Sequence, residues 1–213
     1  MFSGETIRRI LPLIPILLLS LTVHEYAHGY VASKLGDDTA KNMGRLSLNP
    51  LVHIDIVGAL VLLLTGLVGW AKPVPVNPYR LRHRNRDMIL VSLAGPLSNL
   101  CLMLVFILLA RATISFSQQI FGLLGSQRLV GSVFSFLLTC GAVNLGLGVF
   151  NLLPFPPLDG YRVVAAILPE SVDAFCRRFQ LVFFIVLLIA LQRGFFSGVM
   201  RFLYDNVFFR LLS

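Results

Sequence analysis

The chain has 213 residues, of which 56% are hydrophobic and only 13% are charged, and its mean hydropathy is +0.82. A soluble domain of this size needs more polar surface, so the composition excludes that class and indicates a polytopic α-helical membrane protein. The formal net charge of +8 does not predict nucleic-acid binding, because most of the basic residues lie between apolar runs, where they set membrane orientation.

Five apolar segments approach the roughly twenty residues that a helix needs to cross a bilayer. We therefore predict an all-α fold with about four to five transmembrane helices, in a single integral-membrane domain over residues 1–213. The five segments are Ile10–Ser33, Ile54–Trp70, Met88–Ala110, Val130–Leu153 and Phe179–Gly198.

The first segment carries an unusual polar motif near its end. His24, Glu25 and His28 form the pattern H-E-x-x-H. Positions i and i+4 share a helix face, so both imidazoles can reach one metal ion, with Glu25 placed to contact a water on it. Zinc suits this ligand set. The alternative is a pair of buried structural histidines, which is less typical of a membrane helix because unpaired polar groups there cost a few kcal/mol each.

A proline-rich stretch follows the second segment. Proline lacks a backbone N–H and favours extended structure, so we predict that Lys72–Pro78 is strand-like or polyproline-like. An extended Lys72–Asn77 is suited to pair with an unwound substrate by β-augmentation, and an inert linker is the alternative.

A zinc site with two histidines needs a third protein ligand. His83 and Asp87 lie in an arginine-rich loop, where a solvated face is the better interpretation, and Asp55 is more typical of a helix cap. The candidates are His53, Asp55, His83, Asp87 and Asp159.

Asp159 lies in NLLPFPPLDG, residues Asn151–Gly160, at the end of the fourth segment. The prolines there break the helix and free backbone groups, which a membrane interior tolerates only where they line a cavity. The alternative role for Asp159 is to cap a helix that starts near Tyr161.

Together these motifs resemble the site-2 protease family of intramembrane zinc metalloproteases. The family's G-P-x-x-N element resembles AGPLSN, Ala94–Asn99, and segments of its compact bacterial branch resemble GRLSLNPLVHIDIVG and GWAKPVPVNP. The resemblance covers about Leu19 to Arg162. We expect a compact form, because the sequence shows no PDZ domain and no nucleotide-binding module, although the spacing between the two metal motifs is longer than in the most compact members. The resemblance implies one zinc ion per chain, Glu25 as general base, and three zinc ligands: His24, His28 and Asp159.

A shared zinc ion also constrains the topology. The ligands must lie at one membrane depth, so the first and fourth segments run in the same direction, and Ile54–Trp70 must enter and leave by one face or lie along it. Lys34–Asp87 then lies on one side. The positive-inside rule makes that side cytoplasmic, which predicts an active site near the cytoplasmic face. The resemblance to the compact bacterial branch implies that the membrane is a prokaryotic inner membrane. The stretch carries eight basic residues: Lys34, Lys41, Arg45, Lys72, Arg80, Arg82, Arg84 and Arg86.

We expect an endopeptidase that cuts peptide bonds in or near transmembrane segments of other proteins, in regulated intramembrane proteolysis. Asn151 and His53 are candidates for binding the substrate backbone or the oxyanion; alternatively, Asn151 satisfies the broken helix and His53 bonds a loop carbonyl. The expected partners are a transmembrane protein substrate and the lipid bilayer, with no nucleic acid and with a homodimer left open. Two other functions stay open: a membrane zinc carrier or transporter, and a non-catalytic scaffold that retains the metal site.

Overall fold

The computed structural model describes residues 11–65 and 69–212, so Ile10 and residues 66–68 of the predicted segments lie outside the described residues. Within those two ranges the chain is helical, with 3₁₀ turns at Pro50–His53 and Pro78–Arg80, a π-helical turn at Tyr204–Phe208 and no β-strand. The α-helices are α1 (Leu13–Lys34), α2 (Thr39–Asn42), α3 (Ile56–Thr65), α4 (Arg84–Ser115), α5 (Ser117–Leu124), α6 (Gln127–Asn151), α7 (Asp159–Ala165), α8 (Glu170–Arg178), α9 (Gln180–Gln192), α10 (Ser197–Leu203) and α11 (Phe209–Leu212).

Among the described residues, two helices are long and apolar enough to cross a membrane, α4 and α6. The pair α8 and α9, bent by 68°, makes a third if both helices belong to one span. Although α1 has 22 residues, it is not among them, because the polar residues of its second half lower its mean hydropathy. These helices fit a membrane protein, and the count of four to five transmembrane helices stays a prediction.

The chain divides into two compact units. Unit 1 comprises Met1–Ser98 with Arg162–Ile167, and unit 2 comprises Asn99–Tyr161 with Leu168–Ser213. The prediction of a single domain is not tested by this division and stays a prediction.

In unit 1, the two ends of the second apolar segment meet. Ile54 and Ala71 form an isolated antiparallel bridge, and the Lys72 N–H donates to the His53 carbonyl over 2.8 Å. A Cβ at Gly58 would overlap the Trp70 carbonyl, so the returning chain lies directly against α3. A segment whose ends are paired in this way cannot have them on opposite sides of a bilayer, which agrees with the predicted same-face entry and exit.

In the stretch predicted to be extended, Lys72–Pro78, residues 72–77 are not helical, as the prolines predict, and they form no strand. The prediction is wrong for Pro78, which begins the 3₁₀ turn Pro78–Arg80. Four of the six residues 72–77 carry a backbone N–H, and three of these donate within unit 1. Besides Lys72, Val74 donates to Glu25 over 2.7 Å, and Asn77 donates to Asp37 over 2.6 Å. Because most of its donors are used, the stretch offers little free edge for β-augmentation, which stays a prediction.

The core of unit 2 packs α4 against α6 and the C-terminal helices. Its buried apolar residues include Met103, Ile107, Leu145 and Phe208. A buried amide pair adds to this packing, since Asn99 Nδ2 donates to Asn144 Oδ1 over 3.1 Å. Such a bond satisfies two polar groups that would be costly to bury alone.

Candidate metal centre

The H-E-x-x-H motif lies in the second half of α1, where His24, Glu25 and His28 are all buried. The Nε2 atoms of His24 and His28 converge to 3.0 Å. Two nitrogens that are each about 2.05 Å from a tetrahedral zinc ion would be about 3.3 Å apart. The histidine pair therefore fits the spacing that a shared zinc ion requires.

The orientation of His28 is set by α4. His28 Nδ1 lies 2.7 Å from the Val91 carbonyl oxygen. A carbonyl oxygen only accepts, so Nδ1 carries the proton and Nε2 keeps its lone pair for a metal. This is the usual way in which an outer group fixes the tautomer of a ligating histidine.

Gly95 leaves room beside the two imidazoles. A Cβ at this position would lie 2.6 Å from His24 Nε2 and closer still to His28 Nε2. The same volume lies next to both ligand atoms, where an ion would sit. Sequence reasoning noted Gly95 only as part of AGPLSN and gave it no role, because nothing in a linear pattern indicates which residue lies opposite the histidines.

Glu25 makes a defined contact with the proline-rich stretch. The Val74 N–H donates to Glu25 Oε2 over 2.7 Å, and this bond is buried. A carboxylate has two oxygens, so a bond to one of them orients the group and leaves Oε1 outside this contact. The sequence did not predict this contact.

Two of the other ligand candidates, His53 and Asp55, have local structural roles. His53 Nε2 bonds the Ser47 carbonyl over 2.8 Å, as the loop-carbonyl alternative predicted. Asp55 Oδ1 accepts the Gly58 N–H over 2.8 Å at the start of α3, which confirms the predicted helix cap.

The solvated-face interpretation is wrong for Asp87. This residue is buried at 2% exposure and accepts the His83 N–H over 2.8 Å. The bond caps the start of α4, where an acidic residue in the first turn also complements the helix dipole. His83 itself is exposed, as predicted.

Asp159 is the buried first residue of α7, in unit 2. It follows the non-helical residues 152–158, as the prolines predicted. A Cβ at Gly160 would overlap the carbonyl of Leu152, so only glycine permits this approach of the α7 start to the end of α6. The backbone at Asp159 is therefore held by close packing with the broken end of α6.

Two side chains near Asp159 are engaged within unit 2. Asn151 Nδ2 donates to the Leu147 carbonyl one turn back in α6 over 3.0 Å, so its amide is engaged within its own helix. The Tyr161 hydroxyl donates to Asp173 Oδ1 over 2.7 Å. Burial, followed by this bond to Asp173, raises the pKa of Tyr161. The hydroxyl stays protonated and ties α7 to α8, a link that the sequence did not indicate.

The comparisons with known proteins agree with this chemistry. The sequence model of peptidase family M50 matches residues 12–191. YwhC of Bacillus subtilis, which is named as a zinc metalloprotease, is 40% identical over 83% of this chain and 78% of its own.

Two mycobacterial proteins named as the zinc metalloprotease Rip2 are also similar. The protein of Mycolicibacterium smegmatis is 33% identical over 85% of this chain and 69% of its own. The protein of Mycobacterium tuberculosis strain H37Rv is 34% identical over 88% of this chain and 71% of its own. No solved structure gave a significant match. With a buried histidine pair spaced for zinc and a family match over most of its length, the chain belongs to peptidase family M50, the site-2 proteases, and is a membrane zinc metalloprotease.

Proposed function

We propose that this protein cleaves peptide bonds within or beside the transmembrane helices of other membrane proteins. The observation that carries the proposal is the pair of converging imidazoles on α1, a helix whose first half is almost entirely apolar. Ionisable groups at such a place are costly and are normally kept for function. A site of this kind meets substrates that are themselves in the membrane.

His24, His28 and Asp159 are the proposed ligands of a single zinc ion. A catalytic zinc site uses three protein ligands and keeps one position open. Asp159 is favoured as the third ligand because it is a buried carboxylate in Leu158-Asp159-Gly160, which resembles the L-D-G sequence of the family. The bonds of His53, Asp55 and Asp87 described above give those candidates structural roles instead.

Glu25 is the proposed general base. When bound, zinc acidifies a water molecule and polarises the scissile carbonyl. Glu25 accepts the proton of the attacking water and passes it to the leaving amine. The Val74 N–H holds Oε2, so the free oxygen Oε1 is the atom that exchanges the proton. Asn151 and His53 stay secondary candidates for contact with the substrate backbone.

The proposed location is a prokaryotic inner membrane, with the active site near the cytoplasmic face. The paired ends of the second apolar segment support the re-entrant topology on which this orientation rests. One correction applies to the charge argument: Arg45 is buried, so it does not mark the cytoplasmic surface. The remaining seven basic residues of Lys34–Asp87 still favour that side.

The function is tested by co-expression with candidate single-span membrane proteins. The native chain should shorten a substrate at a bond in or next to its transmembrane helix, mapped by mass spectrometry. The Glu25→Gln variant should keep its fold and its zinc. Its cleavage rate should fall by about 10²- to 10⁴-fold, as is typical for loss of a general base, and added zinc should not restore it. Normal cleavage by Glu25→Gln would contradict the mechanism.

The orientation is tested by cysteine labelling. Arg82 is exposed, so Arg82→Cys in a variant that lacks Cys101, Cys140 and Cys176 should react with a membrane-impermeant reagent only after the cytoplasmic face is opened. Labelling from outside intact cells would overturn both the orientation and the re-entrant reading of Ile54–Trp70.

A further inference from the structure

The backbone N–H that contacts Glu25 belongs to a peptide group that is also held from its other side. The Arg45 guanidinium donates from Nη2 to the Lys72 carbonyl over 2.7 Å, and the same atom lies 3.4 Å from the Pro73 carbonyl. The Pro73 carbonyl and the Val74 N–H are the two ends of one planar peptide group. Arg45 and Glu25 therefore contact opposite ends of a single rigid unit.

The proline-rich stretch also docks on the same face of α1 that carries Glu25. Gly29 is one helical turn after Glu25, and a Cβ there would be 3.2 Å from Val74 Cγ1. The Val74 side chain is buried at 6% exposure. Val74 thus meets α1 with both its backbone and its side chain, at two positions four residues apart.

Arg45 is an unusual residue to find in this place. It is buried at 8% exposure, and its contacts with the stretch are to carbonyl oxygens. Its Nε is buried and has no hydrogen-bond partner within the described part of the chain. Burying a guanidinium with incomplete hydrogen bonding is costly, so the hydrogen bonds that Arg45 does make to the stretch are the contacts to which a role can be assigned.

We propose that Arg45 is a positioning residue for the general base. Arg45 fixes the Lys72–Val74 backbone so that the Val74 N–H holds Glu25 Oε2. This inference rests on the proposed role of Glu25. Arg45 itself touches neither the substrate nor the metal ligands in this account. Its loss lets the peptide group move and frees the carboxylate to rotate away from its productive orientation.

The first test reads the contact directly, without a substrate. Selective ¹⁵N-valine labelling in detergent gives the Val74 amide resonance, assigned by its absence in Val74→Ala. Glu25→Gln should shift this resonance, because a charged acceptor is replaced by a neutral one. Arg45→Met should shift the resonance in the same direction. Arg86→Met is the control: it also removes one positive charge, but Arg86 is exposed, so the resonance should not shift. An unmoved resonance in Arg45→Met would overturn the proposal.

The second test uses the single-span protein that the native chain cleaves. Arg45→Met should lower kcat by roughly 10- to 100-fold, as loss of an outer-shell partner does, with KM and zinc content close to native. Arg45→Lys should recover part of kcat, because an ammonium group can still bond one carbonyl. A purely structural role would instead lower zinc content and thermal stability together with kcat, and that result contradicts positioning.

If Arg45→Met does not fold, Val74→Pro and Arg45→Lys take its place. Val74→Pro removes the N–H and should lower kcat, whereas Arg45→Lys still bonds one carbonyl and should retain part of it. Native kcat in Val74→Pro would also overturn the proposal. Failure of the proposed function is recognised separately, whatever the Val74 resonance shows: the native chain would then cleave none of the candidate substrates, or Glu25→Gln would cleave them normally.

Discussion

The two parts of the proposed zinc site are built in different ways. In the histidine half, residues 24–28, both ligands lie on an unbroken helix, and the i, i+4 spacing brings their Nε2 atoms to 3.0 Å. In the aspartate half, residues 151–160, the helix is broken and Asp159 is the first residue of a new helix. The next residue, Gly160, lies in close contact with the Leu152 backbone. Helical periodicity is sufficient to place the first two ligands relative to each other, whereas the third depends on packing that the periodicity does not describe.

The largest expected effect comes from removing one ligand in each half. If both halves hold the same ion, Asp159→Ala and His24→Ala should each lower the affinity for zinc by more than the roughly 10- to 100-fold that loss of an outer-shell partner costs. The purified variants should therefore contain less zinc. Asp159→Asn should lose less, because a neutral oxygen still coordinates but no longer offsets the charge of the ion. The measurement is zinc per chain in purified, detergent-solubilised protein.

His53→Ala and Asp55→Ala are the controls for this prediction, and both should retain the metal. Full zinc in Asp159→Ala together with loss in His53→Ala would show that the third ligand was assigned to the wrong half.

A smaller effect is expected from filling the space beside the histidine half. In Gly95→Ala the new Cβ would lie too close to both Nε2 atoms, so the imidazoles or α4 must shift. We expect zinc affinity to fall at least tenfold, in the range of disrupted outer-shell contacts. Gly146→Ala is the matched control, because a Cβ at Gly146 meets nothing within 4 Å. Competition with a chromophoric chelator measures the affinity, and equal values in the two variants would contradict the assigned geometry.

Gly160→Ala probes the aspartate half in the same way. Its Cβ would overlap the Leu152 backbone, and overpacking of this kind typically costs about 1–3 kcal/mol. For a chain of this size, each kcal/mol lowers Tm by roughly 2–4 °C. Gly131→Ala, in open space on α6, should leave Tm nearly unchanged. The outcome to look for is a lower Tm accompanied by lower zinc content; a native Tm would mean that the close contact does not hold Asp159 in place.

The smallest expected effect concerns the hydrogen bond between Tyr161 and Asp173, close in sequence to the aspartate half. Tyr161→Phe removes the bond to Asp173, whose carboxylate keeps its 2.8 Å salt bridge with Arg177. Because Asp173 keeps that partner, we expect a loss of about 1 kcal/mol, the typical net contribution of a single hydrogen bond. Thermal unfolding measures it, and Tyr79→Phe is the control because Tyr79 is 78% exposed. Equal Tm changes in the two variants would show that the bond between Tyr161 and Asp173 does not stabilise the aspartate half.

Several elements were predictable because their causes are local. The caps and breaks follow from residue chemistry: Asp55 accepts the N–H of Gly58 three residues later, and the prolines of Lys72–Asn77 prevent a helix there. The fifth apolar segment, Phe179–Gly198, shows the limit of such reasoning. Its helix α9 ends at Gln192, and Gly194 adopts a φ of 75°, a conformation that hydropathy does not report.

By itself, the sequence determined the histidine pair, its neighbouring glutamate and the zinc chemistry, because helical spacing and ligand type follow from consecutive residues. Only the tertiary structure decided what surrounds them. His28 meets Val91 across 63 positions of sequence and Glu25 meets Val74 across 49, while Gly95 faces both imidazoles from α4 and Arg45 is buried against the Lys72 carbonyl. Contacts of this range arise from how helices and loops pack, and a local pattern of residues does not encode that packing.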